Sequence, residues 1–242
     1  MTGAALNLEW EQLTAQVLRC RLPFCDVTIG LVHGGGEVLL VDTGTTVPEA
    51  RAIAADVVAL TGCEIGHVLL THNHFDHILG YSVFVGARTY CSPQVVATMA
   101  TQGRHLRADA VRHGADVGQV DRALAALAAP QNSVAAAVVG LGDAEVTIGH
   151  PGRGHTDHDL TAVVTSAEPT VVFCGDLVEE SGEPCIDGHS DLQAWPATLE
   201  RVLAAGGDGA VFVPGHGAVV GASFVRRQAE WLGGLQNHSG EQ

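Results

Sequence analysis

A chain of 242 residues, 46% hydrophobic and only 16% charged, has ample apolar matter for a packed core and falls outside the disordered class. Its 12 basic residues against 27 acidic ones give a formal charge of −15, which repels phosphate backbones and excludes nucleic acid as a general partner. No apolar run reaches the length of a membrane span, and MTGAALNLEWEQLTAQVLRC at the start lacks the basic stretch and apolar core of a secretory signal, so a cytoplasmic protein with no membrane partner is expected.

Residues 15–22 and 26–33 read as two strands joined by a turn at Pro23. GGGEVLLVDTG predicts a glycine-rich hairpin turn and a buried strand ending at Asp42. TVPEARAIAADVVALTG predicts a helix, with Pro48 in its first turn and Gly62 past its end. HVLL (67–70) is a short buried strand, DHILGYSVF a helix start and RTYC another short strand. Residues 93–140 are alanine-rich and helical in pattern; they predict two or three helices inserted between two halves of a sheet scaffold. Arg104, Arg107 and Arg112 in that segment read as solvated, with attraction of an acidic substrate as the alternative. Strands resume at 144–150, 159–166 and 170–176. A helix near 190–205, the strand GAVFVPG, a last helix from 222 to 233 and a frayed tail complete the chain. Strand groups interleaved with helices argue for one α/β layered domain, 1–242. The cysteines Cys20, Cys25, Cys63, Cys91, Cys174 and Cys185 form no C-x-x-C pair and read as small buried apolar side chains in a reducing compartment, none of them a nucleophile.

LLTHNHFDHILG, residues 69–80, gathers His72, His74, Asp76 and His77 directly behind an apolar strand. Neutral imidazole with carboxylate suits zinc or iron. Other apolar strands also run into ligand-type residues: VLLVDTG into Asp42, VVFCGD into Asp176 and AVFVPGHG into His216, while GRGHTDHD carries His155 and His158. Strand ends of layered α/β folds converge, so these residues are expected in one cleft.

His72-x-His74-x-Asp76-His77, with VDTG before it and GHT, CGD and PGHG after it in that order, resembles the metallo-β-lactamase-fold hydrolase superfamily over residues 26–217. The resemblance implies a four-layer αββα sandwich with a metal site at one edge of two facing sheets. It implies that His72, His74 and His155 bind one metal, that Asp76, His77 and His216 bind a second, and that Asp176 bridges them. Asp42 is implied to hydrogen-bond a ligand histidine rather than to touch metal. Spacing agrees with this division, since His72 and His74 are two apart and point the same way on an extended segment, while Asp76 and His77 follow as the chain turns into a helix.

The implied cofactors are two divalent ions, zinc first, with iron or manganese as alternatives. The implied reaction is attack of a metal-bridging hydroxide on an ester, thioester or lactone bond of a small molecule, with Asp76 as the candidate catalytic proton shuttle. β-Lactamases proper usually carry cysteine or serine in place of Asp176, so this aspartate points to glyoxalase II-like thioesterases, lactonases or phosphodiesterases. Only residues 217–242 follow His216, with Arg226–Arg227 as their sole basic pair, which disfavours glutathione thioesters. The alternatives are a mononuclear iron oxidoreductase of the persulfide dioxygenase type, and β-lactamase or phosphodiesterase activity at the same site; His77 and His216, both present, favour the dinuclear hydrolase. The helical segment is expected to set specificity, either by covering the cleft or by making a homodimer contact. His158 reads first as a turn residue, and His33, His150 and His189 receive no site role.

Overall fold

A computed structural model of the chain describes residues 8–131 and 133–239. Its first sheet sets seven strands side by side in sequence order: β1 (Trp10–Gln12), β2 (Val17–Arg21), β3 (Thr28–Gly34), β4 (Glu37–Val41), β5 (His67–Leu69), β6 (Arg88–Tyr90) and β7 (Ser133–Val134). Short turns make β1 to β4 antiparallel, and longer crossovers make β4 to β7 parallel. The second sheet contains β8 (Ala137–Leu141), β9 (Ala144–Gly149), β10 (Thr161–Val164), β11 (Val171–Glu179) and β12 (Val211–His216), in the order β12-β11-β10-β9-β8. There β11 and β12 pair in parallel across a helix, α6 (Trp195–Gly206), and the other pairs are antiparallel.

Period-2 alternation sorts the strand side chains into three cores. Leu18, Ile29, Leu31, Val38, Leu40 and Val68 face a helical layer made of α1 (Val47–Thr61), α3 (Pro93–Thr101), α4 (Gly103–Arg112) and α5 (Val117–Ala126). Their alternates Val17, Val32, Leu39, Val41 and Leu69 pack on Val146, Ile148, Ala162, Val164, Phe173 and Val213 of the second sheet. On that sheet's far face Val163, Val172, Cys174 and Phe212 meet α6 and α7 (Ala222–Ser239). Both faces of the central strands are covered, which is why strands such as VLLV are apolar throughout, whereas β8 and β9 alternate buried with exposed residues. The result is the αββα sandwich expected from the sequence.

The helix over 47–61 begins as predicted. Thr46 Oγ1 accepts from the Glu49 amide at 3.3 Å, the Glu49 carboxylate accepts from the Thr46 amide at 2.9 Å, and Gly62 ends the helix in the left-handed conformation. Elsewhere the structure departs from expectation. The helical segment stops at Ala126, not near 140, because Ser133–Val134 and Ala137–Leu141 are edge strands, the first too short to show alternation and both adjoining the alanines 135–137. Its Val95, Met99, Leu106, Ala110, Val120 and Ala123 belong to the first core, so the segment is part of the outer helical layer. β1 has three residues, too few to carry a period in sequence. α7 runs past 233 to Ser239, and of the expected frayed tail residues 240–242 lie outside the described residues, as do residues 1–7 of the N-terminal stretch. Among the described residues no helix is long and apolar enough to cross a membrane.

Candidate metal centre

The candidate ligands meet at one edge of the sandwich, at the carboxyl ends of its central strands, where layered α/β folds leave a crevice. Chain leaving β5 carries His72 and His74, and the one-turn helix α2 (Phe75–Ile78) carries Asp76 and His77. His155 lies in the loop between β9 and β10, and His216 is the last residue of β12. Asp176 does not end its strand, as the sequence implied. β11 continues to Glu179, with register shifts on either side of Gly175 that re-aim the side chains there. A Cβ on Gly215 would fall 1.8 Å from Asp176 Oδ1, so glycine is what lets β12 bring His216 against β11.

All seven residues arrive. His72, His74, His155 and Asp176 make one group and Asp76, His77 and His216 another, with one ligand atom of each within 4.8 Å of the others in its group. Asp176 faces both: its Oδ2 lies 3.5 Å from His72 Nε2, 3.5 Å from His155 Nε2 and 3.3 Å from His216 Nε2, and its Oδ1 lies 3.2 Å from His77 Nε2. Asp76 Oδ2 is 3.5 Å from His216 Nε2 and 3.8 Å from His77 Nε2. Two ligand atoms at about 2.0–2.1 Å from one ion in tetrahedral array stand roughly 3.3 Å apart, so these separations match a metal-sized gap.

The outward nitrogens of the rings are held by acceptors, which fixes the tautomers. His77 Nδ1 donates to Asp42 Oδ2 at 2.8 Å. Asp42 also accepts from the Thr71 amide and hydroxyl, each at 2.8 Å, and the Thr71 oxygen in turn accepts from His72 Nδ1 at 3.0 Å. His155 Nδ1 donates to the Cys185 carbonyl at 3.1 Å and His216 Nδ1 to the Cys25 carbonyl at 2.8 Å. In these four rings the Nε2 lone pair is left pointing inward. His74 is reversed: its Nε2 approaches Asp187 Oδ2 at 3.6 Å, and its Nδ1 faces His155 Nε2 at 3.0 Å. Asp42 holds φ +62°, a strained conformation for a residue with a Cβ, and its three accepted hydrogen bonds account for its retention.

The donor set fits divalent cations on one further observation. Among the described residues, buried His72 Nε2, His77 Nε2 and Asp176 Oδ1 lack any aligned hydrogen-bond partner, even where His77 and Asp176 stand 3.2 Å apart. Orphaned buried polar atoms cost about 1–3 kcal/mol each, and here they face one another across a common space. Two inward imidazole lone pairs 3.0 Å apart, on His74 and His155, repel unless a proton or a cation lies between them.

Charge sorts the same residues. Burial, reinforced by the charge of His77, pushes His72 well below the ordinary imidazole range, and burial pushes His155 down to about 4. Burial also opposes protonation of His77 and His216, yet Asp176 and Asp76 lift His77 well above its usual range and His216 up to about 10. Burial would raise the Asp176 carboxyl, but His77, His216 and His72 hold it well below the usual carboxylate range. The carboxylates thus call for positive charge at the centre of the site, which a divalent ion would supply.

Beside the site, His158 is buried rather than facing water at a turn. Its Nδ1 donates to Asp157 at 2.8 Å. Asp159 accepts from the Thr156 amide at 2.7 Å and hydroxyl at 2.8 Å, and burial pushes its carboxyl up to about 7. His150 donates to the Asp159 carbonyl, and His33, His150 and His189 stay outside both ligand groups. The six cysteines form no disulfide, but only Cys20, Cys91 and Cys174 are buried. Cys25 and Cys185 reach the cavity wall, where their carbonyls accept from His216 and His155; partial burial and the neighbouring carboxylates push both thiols up, Cys25 to about 12 and Cys185 to about 11.

A cavity of about 460 Å³ opens over the ligand set. Its walls come from α4 and its C-cap, through Asp109, Arg112 and His113, and from the end of β11 and the chain after it, through Glu179, Glu183 and Asp187. The acids after β11 had a sequence signal in EESGEPCID, directly behind the strand of Asp176; Asp109 and His113 had none. Of the three arginines in the helical segment, Arg112 reaches the cavity, Arg107 pairs with Asp121 at 2.6 Å and Arg104 is exposed.

The family model of the metallo-beta-lactamase superfamily matches residues 22–216. Among curated proteins, the atrochrysone carboxyl ACP thioesterase of Aspergillus terreus (strain NIH 2624 / FGSC A1156) is 27% identical over 216 residues, covering 87% of this chain and 57% of that protein. The lactamase-like protein notP of Aspergillus sp. (strain MF297-2) is 35% identical over 79 residues, 29% of this chain and 25% of that protein. The chain thus spans little more than half of the one relative and a quarter of the other.

Proposed function

The chain belongs to the metallo-beta-lactamase superfamily, and on that premise we propose that it is a dinuclear metal-dependent hydrolase of thioester-type bonds in small molecules. The observation that carries this reading is Asp176, a single carboxylate within 3.5 Å of ligand nitrogens from both groups. His72, His74 and His155 would hold one ion, Asp76, His77 and His216 the other, and Asp176 both. Five imidazoles and two carboxylates suit zinc before iron or manganese. Divalent ions held here supply a polarised carbonyl and a water acidic enough to attack at neutral pH. The complete second group, Asp76, His77 and His216, favours this reading over a single-iron oxidoreductase, which needs only the first.

The chain's own groups orient the site and handle the proton. Asp42, Thr71 and the carbonyls of Cys25 and Cys185 keep four imidazoles in one tautomer and one direction. Asp76 borders the cavity, and with one carboxylate oxygen on the ion its other oxygen would hold the proton that the leaving group takes up. A thiol, with a pKa of about 8.5, leaves far more readily than an alcohol, so one carboxyl suffices as the acid and a thioester is favoured over an ester. The relative named as a thioesterase supports the same bond type. Six cysteines without a disulfide support a reducing, cytoplasmic place of action.

Metal quantification and a panel of thioesters, lactones, phosphodiesters and β-lactams test the proposal. The purified protein is expected to carry about two divalent ions per chain and to turn over thioesters fastest. His72→Ala and Asp176→Ala are expected to lose metal together with activity, by on the order of a thousandfold for roughly 4 kcal/mol of lost stabilisation. Full metal content and activity in both variants, or a loaded enzyme inert to thioesters, would sink it.

A further inference from the structure

A second space of about 210 Å³ adjoins the metal cleft and shares Glu179 and Glu183 with it as a common wall. Its far side is α7, which has two faces. Ala222, Val225, Gln228, Ala229 and Leu232 are buried against the second sheet. Phe224, Arg227 and Trp231, at helical spacing i, i+3 and i+7, border the groove instead, opposite Pro184. Trp231 is 37% exposed and is the one aromatic among the exposed large apolar side chains of the described residues. The Arg227 guanidinium lies 5.6 Å from the centre of the Phe224 ring, within cation–π range, and among the described residues it pairs with no carboxylate.

The groove is fixed relative to the cleft. Gln228 Oε1 accepts from the Glu179 amide at 3.0 Å and its Nε2 donates to the Leu177 carbonyl at 2.8 Å, tying α7 to the end of β11. Glu179 is turned into the following loop, where it accepts from the Ser181 amide at 2.9 Å and hydroxyl at 2.6 Å.

We propose that this groove is the acyl subsite of the hydrolase and that it takes an uncharged apolar alkyl or aryl group, whose thioester carbonyl then lies in the metal cleft. The inference rests on the thioesterase reading above. Three features choose this occupant. Pro184, Phe224 and Trp231 offer apolar surface. Both hydrogen-bonding ends of Gln228 are already engaged, so an amide-rich thiol arm would lose hydrogen bonds there whereas an alkyl chain would lose none. Glu183 and Arg227 line the groove with opposite charges, so it offers a carboxylate-bearing acyl group no net attraction.

Acetyl, hexanoyl, phenylacetyl and succinyl thioesters of N-acetylcysteamine, assayed with the metal-loaded enzyme, test this. One fully buried methylene changes affinity roughly fourfold, so the open groove is expected to raise kcat/KM for hexanoyl and phenylacetyl on the order of tenfold over acetyl, with succinyl gaining nothing over acetyl. Trp231→Ala and Trp231→Glu, at an exposed position that spares the fold, are expected to lower kcat/KM for hexanoyl and phenylacetyl about fivefold more than for acetyl. Equal rates along the series, or equal losses on all substrates, overturn the subsite. Ketone analogues, with CH2 in place of the thioester sulfur, separate this failure from failure of the reaction. Tighter calorimetric binding of the hexanoyl than of the acetyl analogue, weakened by Trp231→Glu, supports the groove even where no thioester turns over. No difference between the analogues overturns it.

Discussion

The floor and the walls of the cleft are made of different material. On the floor His72, His77 and His155 are fully buried, and each ring nitrogen that faces away from the cleft is gripped by an acceptor. On the walls Asp109, Arg112 and Glu183 are exposed or half exposed, and Asp109 and Arg112 pair at 2.8 Å. In a buried network each substitution leaves another member unpaired, at low dielectric, where that is expensive. An exposed ion pair contributes about 0–1 kcal/mol. Chemistry is therefore locked into the floor, while the walls are free to vary with the substrate.

The sharpest break of this contrast comes from Asp42, which touches the cleft only through other residues. Three donors converge on its carboxylate: His77 Nδ1, the Thr71 amide and the Thr71 hydroxyl. Asparagine keeps the shape but offers one acceptor oxygen, so Asp42→Asn releases His77 directly and His72 through Thr71. Metal affinity, measured by chelator competition, is expected to fall 10–100-fold. An affinity within twofold of the parent would show that the rings are held by packing alone.

Asp159 tests the floor from beneath. Its carboxyl is raised to about 7 by burial, so the folded state keeps a proton that the unfolded chain releases near 4. Its contribution to stability is complete below the unfolded value and is lost as pH rises through about 7, at a slope of at most about 1.4 kcal/mol per pH unit. Asp159→Asn stays neutral and still accepts from the Thr156 amide, so the parent's decline between about pH 4 and 7 is expected to flatten in this variant. Denaturant unfolding of chelator-treated protein across that range reads it; parallel slopes would mean that Asp159 is ionised when folded.

What was legible in the sequence follows the same division. Apolar runs such as VLLVD, HVLLTH and AVFVPGH show where a buried strand stops, and the residues at the stops converge on the sandwich edge; hence Asp42, His72 and His216, each weak alone, were readable as a set. Asp109 and His113 were not, because a solvent-facing helical residue looks the same whether or not a cleft lies beside it. The burial of His158 was hidden for the opposite reason, since its neighbours are polar and its cover comes from elsewhere in the fold. β7 was lost because two residues carry no alternation, and β8 because it opens on a run of alanines that reads as helix.

The walls make the smallest prediction, and Arg112→Ala carries it. Alanine is the best helix former, Arg112 is 69% exposed and its pair with Asp109 is solvated, so stability is expected to stay within about 0.5 kcal/mol and metal content to be unchanged. The charge at the cavity mouth does change: Asp109, Glu183 and Asp187 remain without the guanidinium. At a few ångströms in water one charge is worth about 0.5–1 kcal/mol, or a two- to fivefold loss of kcat/KM for an anionic thioester, with a smaller change for a neutral one. At 1 M salt the screening length shrinks to about 3 Å and the difference should vanish. A loss that persists at high salt, or that strikes neutral and anionic substrates alike, would mean that Arg112 acts by shape, and that part of the wall is as rigidly specified as the floor beneath it.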